Sequence, residues 1–186
     1  MNLFEHVAVA FSMVLSFGVV RLLDGLRPAL VPGRRYWVHA LWLVQKAAQP
    51  RLLLVGILVL PGGRRLDRRF LPLAPPRTSL LFLQATALVT TNPSAVDSWR
   101  DHFFGIHSWF FSVDVVLILH SVTTASLLRG VPLVHPLRAL QAVGLTISIL
   151  GAASASPRLH ATIARVALAL QSLGLGALFF RLQGLG

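Results

Sequence analysis

The chain contains no cysteine. Disulfides, thiolate metal sites and cysteine nucleophiles are therefore excluded at the outset. Acidic residues are scarce as well, 6 Asp and Glu against 17 Lys and Arg, and Lys46 is the only lysine. Charged residues make up only 12% of the 186 positions and hydrophobic ones 55%, where soluble domains carry roughly a quarter charged. A core of this size needs no such apolar excess, so lipid is expected to be the solvent for much of the surface. Met1 to Leu23 lacks a basic leading region and a small-residue cleavage site, and reads as a retained helix rather than a removable signal.

Motifs are missing too. The net charge of +11 comes with no RNP, KH or zinc-finger spacing, so no nucleic-acid partner is expected. Most arginines flank apolar runs, where topology and anionic headgroups account for them. GxSxG, HExxH and phosphate-cradling glycine loops are absent, which leaves no legible catalytic residue and no metal site.

What the chain does contain is apolar runs. Leu3 to Leu23, Thr78 to Val89 with its flanks, Phe103 to Leu128, Leu133 to Ala155 and Leu159 to Phe180 approach the roughly 20 residues that a span requires. Tyr36 to Leu60 is different, because QKAAQPR sets Lys46, Gln49, Pro50 and Arg51 in its middle. A central Lys or Arg is costly in hydrocarbon, and proline interrupts a helix. If this segment dips in and returns, Arg27, Arg34, Arg35, Arg64, Arg65, Arg68 and Arg69 share one face, as the positive-inside rule prefers. The expected fold is one all-α membrane domain over 1–186. It has five full spans plus a broken or re-entrant segment, the N-terminus outside and no soluble domain; six plain spans are the alternative.

The polar residues inside these runs fall into lines. His107, Asp114 and Ser121 are seven apart on one helical face, as are His39, Trp42, Lys46 and Gln49 at spacings of three and four; Glu5, Ser12 and Ser16 share an arc of the first run. Such faces are expected to turn inward. Pairing Asp114 with Lys46 is the most economical arrangement. An ion or proton pathway would be lined by Asp114, Lys46, His107, Glu5 and Ser121. In it Asp114 titrates or coordinates a cation, Lys46 is its counter-charge and His107 is a relay. The alternative is a redox subunit linked to haem b or quinone, with ligands drawn from His39, His107 and His120; a structural anchor is the third reading. Without the haem alternative, no cofactor is expected.

Gly144, Ser148, Gly151 and Ala152 form a small-residue strip in the fifth run, and Ser172 and Gly176 form one in the sixth. Both are expected to pack the two helices together, or to seam a homo-oligomer. Trp37, Trp42, Trp99, Trp109 and Tyr36 read as anchors at the membrane interface.

In FEHVAVAFSMVLSFGVVRLLDGL, followed much later by DSWRDHFFGIHSWFF, the chain resembles a loose group of small, uncharacterised bacterial polytopic integral membrane proteins. The shared features are an N-terminal acid, a small-residue first helix ending in Arg-Leu-Leu and an aromatic entry to a later helix. The resemblance implies a plain helical bundle and no activity; QKAAQPR departs from it. Together these readings point to a multi-pass protein of the bacterial inner membrane, partnered by lipid and by further copies or other membrane subunits.

Overall fold

A computed structural model describes residues 3–58, 74–127, 130–132 and 134–183, and among these every regular element is helical. The helices are α1 (Leu3–Ala29), α2 (Trp37–Leu58), α3 (Ala74–Leu88), α4 (Trp99–Leu127), α5 (Pro136–Ala153) and α6 (Pro157–Gln183), with a 3-10 turn at Pro93–Ala95. Their ends follow local chemistry. Pro136 and Pro157 open α5 and α6, where a missing N–H costs nothing. Ser98 Oγ accepts the Asp101 N–H at 3.3 Å at the start of α4, and Ser156 Oγ does the same for Leu159 at 3.5 Å before α6. After α4, Gly130 takes φ 59°, a left-handed conformation natural to glycine, and Val131 donates back to Ala125 O at 3.0 Å.

The long α4 is the axis. It packs on α2, α3 and α5, while α1 covers α2 and α3 and α6 closes against α2 and α5. The core on its inner side is aromatic: Trp99, Phe103, Phe110 and Phe111 are buried, and Trp42 meets Phe110 and Phe111 edge-on at 5.4 and 5.3 Å. Trp42 and Trp99 are thus core residues and not interface anchors; Trp37 and Trp109, both 46% exposed, remain at the surface.

Three expectations are corrected. The first concerns spans: among the described residues one helix, α4, is long and apolar enough to cross a membrane, not five or six. For α3 and α5 the reason is length. α3 has 15 residues, about 22 Å of helix against a hydrocarbon core of about 30 Å. The apolar part of α5 is Arg138–Ala153, also too short. A multi-pass topology is therefore not supported.

The second correction is to the broken segment. α2 runs without interruption from Trp37 to Leu58, through Pro50. The proline forfeits one intrahelical bond, to the Lys46 carbonyl four residues back, yet both halves of the helix continue across it. The third concerns the small-residue strips. A Cβ on Gly151 would meet the Phe111 ring at 2.8 Å and one on Gly144 would meet Ile118 at 3.3 Å, whereas Gly176 has nothing within 4 Å. The two glycines of the α5 strip therefore seat bulky side chains of α4, while α5 and α6 are also in contact. An Ile and a Phe need a groove, and glycines provide it.

α1 closes against the end of α3 at Gly25, where an added Cβ would lie 2.5 Å from Cγ2 of Val89, the residue that follows α3. Val89 is buried and β-branched, so it cannot swing aside. Gly25→Ala should destabilise the fold by about 1–3 kcal/mol, read as a lower thermal midpoint. Gly174→Ala, in open space on α6, should be neutral or slightly stabilising through helix propensity. Equal midpoints for the two variants would refute the close packing of α1 on α3.

Candidate functional site

The centre of the bundle holds a charge cluster built by three helices. Lys46 on α2 reaches Asp114 on α4, Nζ to Oδ1 2.6 Å, with side chains only 8% and 13% exposed. Gln84 on α3 donates its amide to the same Oδ1 at 2.8 Å, and to the Phe110 carbonyl at 3.2 Å. The ammonium also lies 5.1 Å from the Phe110 ring centroid and 5.9 Å from that of Trp42, within the reach of cation–π attraction. The geometry follows from helical spacing, because Trp42 is one turn before Lys46 and Phe110 one turn before Asp114. Each charge thus brings its own aromatic wall.

A second polar junction lies alongside. Gln45 donates to the Ala164 carbonyl of α6 at 2.9 Å, and Gln171 of α6 donates to the Gln45 carbonyl at 3.2 Å. Successive residues of α2, Gln45 and Lys46, therefore bind α6 on one side and α4 on the other.

The remaining candidates are dispersed. His107 Nδ1 donates to the Phe104 carbonyl of its own helix at 2.7 Å, and its ring meets that of His160 on α6 at 5.3 Å. Ser121 Oγ accepts from Gln141 of α5 at 3.2 Å. The stripe His107, Asp114, Ser121 thus addresses different neighbours at each level. On α1, Ser12 and Ser16 are exposed in a surface cleft with Val9, Met13 and Phe17, contrary to the expected inward face. Ser16 Oγ donates to the Ser12 carbonyl at 2.7 Å, a self-satisfying bond that lets a serine face outward. The Glu5 side chain lies outside the described residues, as does Arg51.

The imidazoles gather at the other end of α4. His39 is fully buried, stacked on Trp99 at 4.9 Å and edge-on to His102 at 5.6 Å. Burial first, and the neighbouring His102 second, push its pKa down to about 3. His160 Nε2 donates to the Ser154 carbonyl at 2.6 Å; burial lowers its pKa while that bond works in the opposite sense. The histidines considered for haem have different neighbours, His107 meeting His160 and His39 meeting Trp99 and His102. His39 is covered by Trp99, and His120 lies 18 positions beyond His102 on α4, about 27 Å along the axis. Among the described residues, no group of three or more His, Cys, Asp or Glu side chains could hold a metal ion.

Gln84, His102 and His160 were not among the expected site residues. Gln84 was the most findable, since it stands alone among apolar neighbours in LLFLQATAL. His102 and His160, near helix starts, gave no periodic signal. No family model, characterised protein or solved structure matches this chain.

Removing one partner of a buried ion pair strands the other, a loss of about 3–5 kcal/mol. Lys46→Met and Asp114→Leu should each lower the thermal midpoint sharply, and the double variant should lie well above the sum of the two losses. Additive losses would mean that the two charges do not interact. For His39, the unfolded chain binds a proton below about pH 6.5 that the folded chain refuses until about pH 3. Its contribution is therefore intact above pH 6.5 and declines as pH falls through that window, by up to about 1.4 kcal/mol per unit. His39→Phe should flatten the slope of stability between pH 6 and 4; an unchanged slope would exclude His39 as its source.

Proposed function

We propose that the protein is a non-enzymatic, membrane-embedded helical subunit or scaffold of the bacterial inner membrane, held in shape by its central charge cluster. One observation carries this reading: the helices expose many large apolar side chains, while one ion pair is buried between them. Met13, Phe17, Val20 and Leu23 on α1, Val116 and Leu119 on α4, Leu140, Ile149 and Leu150 on α5 and Leu173 on α6 are all exposed. Lys46, Gln84 and Asp114 are buried. Exposed apolar surface of this extent calls for lipid or another apolar partner, and α4 has the length and composition to cross a bilayer. The shielding of the cluster supports a lock, because an ion pair closed off from water by aromatic rings holds helices rather than conducting.

A second reading, a proton or ion pathway, has one observation in its favour. Asp114 falls 15 residues after Trp99 and 13 before Leu127, near the midpoint of that same helix, where a titratable group would serve transport. In it Asp114 would carry the proton or cation and Lys46 would balance its charge.

Reconstitution separates the two. The protein should float with liposomes after an alkaline carbonate wash and conduct neither protons nor alkali cations. Release into the wash would remove the membrane reading, and a flux abolished in folded Asp114→Asn would replace the scaffold with the pathway.

A further inference from the structure

At the end of the bundle where α4 begins, the turn after α1 is stitched to the loop that leads into α4. The Trp99 indole Nε1 donates to the Pro28 carbonyl at 3.0 Å, and the Trp99 backbone N–H donates to the Arg34 carbonyl at 3.3 Å. Arg34 reaches the other way, its Nη1 donating to the carbonyls of Ser94 and Val96, both at 3.3 Å. Between the two segments lies a cleft of about 410 Å³, lined by Pro28, Val31, Arg34, Pro93, Ser94 and Trp99. The two carbonyls take up the hydrogens of Nη1. The Nε and Nη2 edge, which in a guanidinium can pair with two oxygens of one phosphate, has no partner among the described residues.

We propose that this cleft binds the phosphate of an anionic phospholipid, with the free edge of Arg34 as its bidentate partner. The choice of a lipid rests on the membrane reading of α4. That helix has 29 residues, about 44 Å at 1.5 Å per residue, against about 40–45 Å for a bilayer with its headgroups. Its first residue, Trp99, therefore lies at headgroup level, and the cleft lies there with it. Charge selects the headgroup. Arg34 is exposed and forms no ion pair among the described residues, and neither do Arg35 and Arg100, which follow Arg34 and Trp99 in sequence. Asp97, the residue after Val96, is exposed and does not pair with Arg34. Choline and ethanolamine headgroups bring a cation of their own, which these arginines repel; a glycerol headgroup brings none.

The lining favours a lipid over a free phosphate ion. Pro28, Val31, Pro93 and the indole give the cleft an apolar wall, and Leu30 and Val31 beside it are 53% and 46% exposed. A glycerol backbone and the top of an acyl chain gain from covering such surface, whereas an inorganic ion does not. The hydrogen bonds that join the two segments also hold the guanidinium in place before anything binds, so little side-chain ordering is left to oppose binding.

The test uses the full-length protein in detergent, with native mass spectrometry and thermal midpoints read as phosphatidylglycerol, phosphatidylcholine or inorganic phosphate is added. Phosphatidylglycerol should bind at one equivalent, about 10-fold or more tighter than phosphatidylcholine, and raise the midpoint. An excess of inorganic phosphate should not displace it. Arg34→Gln should lose the preference, and Arg34→Lys should fall in between, because it keeps the charge but not the fork. Arg158→Gln, at an exposed position at the start of α6, should match the parent. Equal affinity for the two lipids, displacement by inorganic phosphate, an Arg34→Lys protein that matches the parent, or an Arg158→Gln protein as weak as Arg34→Gln would each overturn the site. The lipid comparison on the parent needs no variant to fold, and circular dichroism of each variant separates lost binding from lost folding. Flotation with neutral phosphatidylcholine vesicles is read separately. A chain that stays in them without preferring phosphatidylglycerol loses this site alone; a chain that leaves them loses the membrane reading and the lipid source with it.

Discussion

An ammonium and a carboxylate held 2.6 Å apart among aromatic rings set the terms for the whole bundle. Neither charge can be buried alone, so α2 and α4 must cross at the level of Lys46 and Asp114. α3 must bring Gln84 to the same oxygen. These are directional requirements, unlike the apolar contacts around them, which tolerate sliding. Such a pair adds little net stability over a well-packed apolar substitute, but it penalises every register in which the partners miss each other. Its place here is to fix which helix faces meet.

The rest of the polar inventory follows the same logic at smaller cost. Hydroxyls on helix surfaces donate to their own backbone: Ser112 to Ser108, Thr123 to Leu119 and Thr146 to Ala142. Arg138 is spent on the end of α4, donating to Val122 O, Ser126 Oγ and Val131 O. With polar groups satisfied internally, the outer faces are free to be apolar. The buried interior of α4 then divides into two regions with different chemistry, a salt-bridged centre and an aromatic pocket around His39. Among the described residues, His39 in the second leaves both ring nitrogens without a hydrogen-bond partner.

Much of this was legible in the residues. Scarcity made Lys46 and Asp114 readable, since one lysine and one deeply placed acid in so apolar a chain have few other ways to be neutralised. The six helices lie where the apolar runs and their Pro, Gly and Arg boundaries indicated. The face His39, Trp42, Lys46 was identifiable from its spacing, and its residues are indeed buried. The number of spans was misread, because apolar composition alone does not separate a run long enough to cross a bilayer from one that is too short. Pro50 was misread as a break, because the proline removes a single intrahelical hydrogen bond and the helix continues past it.

Composition and periodicity by themselves determined that the chain is helical, that it carries apolar surface beyond the needs of its core, and which few charges must be paired. These properties are local or additive, so they can be counted along a sequence. Only the tertiary structure decided that the glycine strip of α5 receives Phe111 and Ile118 of α4, that Ser121 bonds α5 while His107 meets α6, and that His39 faces His102. Which helix lies beside which is set by the joint packing of all the faces at once, and no single stretch contains that information.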